Sequence, residues 1–130
     1  MNDRFGHAIG DKVLVLAAGK MSLAVGGAGI VGRMGGDEFA ILQYRVRDAE
    51  TALELGRRVL LALREPLEVE AHVLRLDASL GIAIHPDAGT DADVLIRNAD
   101  IAMYAAKKDR RSGASGIRVF GMPTGRSVSR

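Results

Sequence analysis

Two adjacent glycines, Gly35 and Gly36, separate two β-favouring runs, Ala28 to Met34 and Phe39 to Tyr44, and leave the surrounding chain few alternatives. A glycine pair reaches the positive-φ conformations that a tight reversal needs, so the two runs are predicted to fold back as an antiparallel hairpin. Ahead of it, apolar residues recur at helical spacing from Gly10 to about Val25, through Leu14, Ala17, Ala18 and Met21, and Gly26-Gly27 ends that helix. Behind it, Asp48 is placed to cap a second helix with Ala52, Gly56, Val59, Leu60 and Leu63 inward, and Pro66 closes it. LEVEAHVLRLDASLGIAIHP then reads as a short strand, a turn and a long strand ending at His85-Pro86. Thr90 or Asp91 caps a third helix running to about Lys108, with Leu95, Asn98, Ala102 and Ala105 inward, and Ile117 to Phe120 forms a last strand. The order predicts an α+β fold, a mainly antiparallel sheet covered by helices. Residues 1–120 are expected to form one domain, and 121–130 a flexible tail or linker.

Composition bounds the partners. A net charge of +2 is too small to argue for nucleic acid, and 4% aromatic residues leave few rings on which bases could stack. No apolar run reaches membrane-spanning length, and MNDRFGHAIG lacks the apolar core of a signal peptide. There is no cysteine, so thiolate metal sites are excluded and a cytoplasmic setting is the default expectation.

Two glycine signals compete for the chemistry. Gly27, Gly29 and Gly32 spell G-x-G-x-x-G, the dinucleotide fingerprint. That motif needs a strand before its glycines and a helix after them, and here the order is reversed. GHAIGDK likewise fails as a phosphate-binding loop, because its spacing is wrong and no Ser or Thr follows the lysine. The second signal, R-M-G-G-D-E-F at 33–39, sets two carboxylates, Asp37 and Glu38, at the rim of the hairpin. Like charges that close call for a cation or strong donors, and magnesium suits hard carboxylates shared with substrate phosphates. A solvated acidic turn is an equal account of G-G-D-E alone. Asn2 and Asp11 flank GHAIG, where an amide and a carboxylate can read a guanine edge or merely cap a helix. Lys107, Arg110 and Arg111 end the third helix, where cations complement the helix dipole or bind phosphate. His7 is expected to hydrogen-bond its loop and His85 to be exposed; neither has a second histidine at zinc-ligand spacing.

Taken together, R-M-G-G-D-E-F at 33–39, N-D-x-x-G-H-x-x-G-D at 2–11 and A-D-I-A-M-Y-A-A-K at 99–107 resemble the GGDEF domain of diguanylate cyclases, as does SLGIAIHP. The resemblance runs nearly to Phe120. It implies a nucleotidyl-cyclase-like fold, ferredoxin-like βαββαβ with additions, and condensation of two GTP into cyclic di-GMP and two pyrophosphates. By that resemblance Asp37 ligands magnesium (or manganese), and Glu38 is the second essential acid. Gly35 and Gly36 lie against the GTP, Asn2 and Asp11 read guanine, and Lys107 and Arg111 contact phosphate. Where the family has x-x-G-R-N after the lysine, this chain has K-D-R-R-S, which weakens the match at Arg111. The family's inhibitory R-x-x-D is absent, since Gly26 and Gly29 stand at its two ends. The resemblance further implies a second GGDEF domain as catalytic partner, in a homodimer, and a fused sensor or phosphodiesterase domain in a longer parent. In the family a strand ending in D-x-D-x-F-K precedes the stretch that begins here at Met1. The expectation is therefore an N-terminally shortened domain without its first strand and one metal-binding aspartate, a poor cyclase alone that pairs or swaps to cover the gap.

Overall fold

The computed structural model describes residues 6–113 and 116–122, and the chain divides into two compact units, Met1–Arg45 with Arg58–Asp77 and Val46–Arg57 with Ala78–Arg130. In the first unit, helix α1 (Gly6–Val25) buries Val13, Ala17, Met21 and Val25. It begins a turn earlier than Gly10 because Ile9 also finds apolar company, packing on the buried cluster of Val13, Leu67 and Val69. A 3-10 turn, Gly26–Ala28, ends it with Gly26 at φ +56°. Strands β1 (Gly29–Gly35) and β2 (Glu38–Gln43) follow as the antiparallel hairpin expected, with α1 packed along β1. Helix before and strand after is the order that rules out the dinucleotide reading of Gly27, Gly29 and Gly32. A Cβ on Gly29 would lie 2.2 Å from the Leu42 carbonyl oxygen, so any side chain at this position would require the facing backbone to shift.

Strands β3 (Leu67–Val69) and β4 (His72–Leu74) make a second small hairpin in this unit. Its turn residues Glu70 and Ala71 sit at φ +48° and +72°, the mirror-image reversal that matches strand twist, made without the usual Asn or Gly. Lys12 of α1 pairs with Glu70, and the end of helix α2 (Ala49–Arg64) contributes buried Val59, Leu60 and Leu63.

The second unit holds the start of α2, with Ala52, Leu53 and Leu55 buried, and strand β5 (Leu80–Ile82), helix α3 (Ala92–Arg111) and strand β6 (Ile117–Val119). β5 and β6 pair in parallel, and α3 lies against both. The fit is closest at Gly81, where an added Cβ would lie 2.0 Å from the Ala99 carbonyl oxygen and 2.3 Å from the Met103 nitrogen. Asp48 and Asp91 cap α2 and α3, accepting from the Thr51 and Val94 amides at 2.8 and 2.9 Å. On α3, Ala102 and Ala106 are buried, while Ala105 is half-buried.

One sequence expectation fails. The long strand up to His85-Pro86 is two short ones, β4 and β5, with residues 75–79 outside any ladder. Apolar alternation marks which way side chains face, but a strand exists only where a neighbour takes its hydrogen bonds. Here β4 has β3 and β5 has β6, so the partner changes between them. Among the described residues the strands accordingly form three two-stranded pieces, two of them antiparallel. α3 also runs to Arg111, beyond Lys108, and its last turn carries Lys108, Arg110 and Arg111 in favourable contact with the helix dipole.

Candidate nucleotide site at the glycine turn

The hairpin tip is built by backbone conformation. Gly35 and Gly36 adopt φ +155° and +51°, values that side chains rarely tolerate, and the register shifts between Arg33 and Gly35. Arg33 pairs with Phe39 across the ladder, and its Nε and Nη2 both donate to the Gly36 carbonyl oxygen, at 2.8 and 2.6 Å. Asp37 and Glu38 follow at once and are both exposed. The turn therefore presents two full carboxylates beside a backbone stripped of side chains, which lets a polyanionic ligand and its cation approach closely.

Alongside it, α1 and the hairpin enclose an open hollow of about 170 Å³, lined by Leu14, Val15, Ala18 and Ser22 from the helix and Val31, Gly32, Arg33 and Phe39 from the strands. Sites for whole drug-sized ligands run to roughly 300–1,000 Å³, so this one has room for a flat ring and not for a complete nucleotide. Asp11 stands exposed on α1, one turn before Leu14. Gly35, Gly36, Asp37, Glu38 and Asp11 thus belong to one unit, around one helix–hairpin contact. Lys107 and Arg111 are exposed one turn apart on the same face of α3, in the other unit. Asn2 lies outside the described residues, as does 123–130 of the tail. His85 is exposed, as expected.

Among the described residues, no three His, Asp or Glu side chains group as a self-sufficient cation site. Two hard carboxylates at an exposed turn instead fit a cation such as magnesium, which keeps its waters and completes its shell with phosphate oxygens. In the sequence Arg33 stands within the motif with nothing to mark a task for it. Its position opposite Phe39 and its reach to Gly36 emerge only once the turn is folded.

The family model for the diguanylate cyclase GGDEF domain matches residues 1–113. Signaling protein YkoW of Bacillus subtilis is 40% identical over 86% of this chain, and the bifunctional diguanylate cyclase/cyclic di-GMP phosphodiesterase MucR of Pseudomonas aeruginosa is 35% identical over 87%. The chain spans 14% and 16% of those two proteins' lengths. Among solved structures, the GGDEF domain of TpbB from Pseudomonas aeruginosa superposes with a TM-score of 0.82 at 31% identity, covering 94% of this chain and 74% of that one. The active GGEEF domain of a diguanylate cyclase from Vibrio cholerae gives 0.71 at 29% identity, covering 94% and 75%. With the helix–hairpin geometry already in hand, these matches mean that the chain belongs to the GGDEF family of diguanylate cyclase domains.

Proposed function

We propose that this domain binds GTP with a divalent cation, magnesium or manganese, and condenses two GTP into cyclic di-GMP and two pyrophosphates for bacterial second-messenger signalling. The observation that carries the reading is the glycine turn, with Asp37 and Glu38 beside the apolar hollow between α1 and the hairpin. On this reading a guanine ring would rest on the hollow's apolar walls with Asp11 accepting from its N–H groups, and the family resemblance gives Asn2 the same task. The triphosphate then runs along Gly35 and Gly36, where no side chain obstructs it. Asp37 would hold the cation with Glu38 beside it; Lys107 and Arg111, paired on α3 in the other unit, are proposed to bind phosphate in their own right. Bound there, the cation neutralises phosphate charge and favours attack by a 3′-hydroxyl. That hydroxyl belongs to a second GTP, so a second GGDEF domain must face the first, and holding the two nucleotides together supplies much of the acceleration.

A second reading, a GTP-binding regulatory module without turnover, draws support from two relatives. The cyclic di-GMP phosphodiesterases NbdA of Pseudomonas aeruginosa and PdeR of Escherichia coli match 88% and 85% of this chain at 29% and 35% identity. Radiolabelled GTP, read by chromatography beside calorimetric binding, separates the two. Magnesium-dependent binding with any cyclic di-GMP and pyrophosphate formed supports the cyclase, and binding without product supports the module. In either case Asp37→Ala is expected to abolish the magnesium-dependent part of binding. Unchanged binding by that variant would reduce the acids to an ordinary turn.

A further inference from the structure

The turn that carries Asp37 is tied down by a side chain to which the reading above gives no role. Two donors on one edge of the Arg33 guanidinium, Nε and Nη2, converge on a single acceptor, the Gly36 carbonyl oxygen, at 2.8 and 2.6 Å. That oxygen is part of the Gly36–Asp37 peptide unit. Because the peptide is planar, fixing its oxygen fixes the plane from which the Asp37 Cα departs, and so the cone in which the carboxylate can lie.

The turn needs such a tie. Gly35 and Gly36 are the two most permissive residues available, and at φ +155° and +51° nothing intrinsic confines them to the observed shape. The ladder helps little, because its register shifts between Arg33 and Gly35 and next pairs Gly35 with Glu38, so that Gly36 and Asp37 lie outside it. Arg33 is itself anchored, since its backbone pairs with Phe39. Its planar fork gives two parallel donors in a fixed geometry, which a lysine ammonium on a flexible stem does not reproduce.

We propose that Arg33 is a positioning residue, whose chelation of the Gly36 carbonyl locks the Gly36–Asp37 peptide and so holds the Asp37 carboxylate where cation and nucleotide phosphates meet. The positioning role rests on the magnesium–GTP reading above; the chelate itself does not.

Arg33→Lys in the full chain keeps the charge and removes the fork, and Arg33→Gln keeps a single donor without charge. Backbone ¹⁵N relaxation reads the turn, and a fluorescent GTP titrated at rising magnesium reads the site. For both variants, order parameters at the Gly36 and Asp37 amides are expected to fall from near the rigid value of about 0.85. The magnesium needed for half-maximal nucleotide binding is expected to rise roughly ten- to a hundredfold, as when an outer-shell partner of a metal ligand is lost. Preference for GTP over ATP, set away from the turn, is expected to stay as it is. Unchanged turn order would overturn the chelate. A loosened turn with an unchanged magnesium midpoint would overturn the positioning role while leaving the nucleotide reading intact. Binding that ignores magnesium in the unsubstituted protein, or is lost equally at all magnesium concentrations in the variants, would also overturn it; only the former counts against the nucleotide reading.

Discussion

Asp11 illustrates how much a single exposed side chain can decide. On the proposed reading its carboxylate accepts from guanine N–H groups, and hydrogen bonds to a charged partner contribute about 1.5–3 kcal/mol. Asp11→Asn is therefore expected to weaken GTP binding roughly ten- to a hundredfold, with little change for ATP, which presents no matching donors. Competition of each nucleotide against labelled GTP measures this, and ATP competing as well as GTP with the unsubstituted protein would remove the guanine assignment. Gly81 is decisive for a steric reason. Its missing side chain lets the α3 backbone rest on β5, with the Ala99 oxygen 2.0 Å from where a Cβ would be. Overpacking costs about 1–3 kcal/mol, and Gly81→Ala belongs at the upper end because the obstacle is backbone, not a mobile side chain. Denaturant unfolding reads the loss directly.

Among the elements, α2 depends on its first turn. The Thr51 hydroxyl at 2.7 Å and the Thr51 amide at 2.8 Å both donate to Asp48 Oδ1. The Thr51 hydroxyl bond, then the amide bond, hold the Asp48 carboxyl below its ordinary value of 3.8, outweighing slight desolvation, with Arg47 adding a little. A carboxyl lowered in the folded state binds its proton less readily there than in the unfolded chain. Its stabilisation is complete above pH 3.8 and is lost as pH falls through the lower folded value. Asp48→Ala is thus expected to lower the melting temperature by a constant amount near neutral pH, and the gap to the unsubstituted protein closes in acid below pH 3.8. A gap that does not shrink as pH falls below 3.8 would place the effect elsewhere than in the carboxylate. The hairpin of β1 and β2 differs in kind. Ile30 and Leu42, register partners, are 56% and 64% exposed, so its hold comes from the other face against α1.

For the whole molecule, on the proposed reading, a reaction that joins two GTP, each held by one domain, would make assembly part of the rate law. The rate per chain is expected to rise with protein concentration and to level off once pairing is complete. A rate per chain that stays flat from nanomolar to high micromolar protein would mean that one domain suffices. The chain spans 14–26% of the length of relatives such as YkoW and the diguanylate cyclase TpbB, both fractions being those of much longer proteins. Among the described residues no helix is long and apolar enough to cross a membrane.

Local chemistry made much of this legible from residues alone. Gly35-Gly36 between β-favouring runs specified the hairpin, and Asp48 and the pair Thr90-Asp91, of which Asp91 makes the cap, marked two helix starts, because turns and caps are satisfied by atoms a few residues away. The motif acids were legible for the same reason, since a turn exposes whatever follows it. Tertiary structure decided what depends on a distant partner. It split HVLRLDASLGIAIHP into two strands, because β3 and β6 set where its ladder bonds end. It began α1 at Gly6, because Ile9 meets Leu67 and Val69 only in the folded unit. It turned Arg33 back onto Gly36, and it left Gly81 no space for a side chain by laying the α3 backbone against it. A sequence records which groups need partners; the geometry of folding decides which partner each one meets.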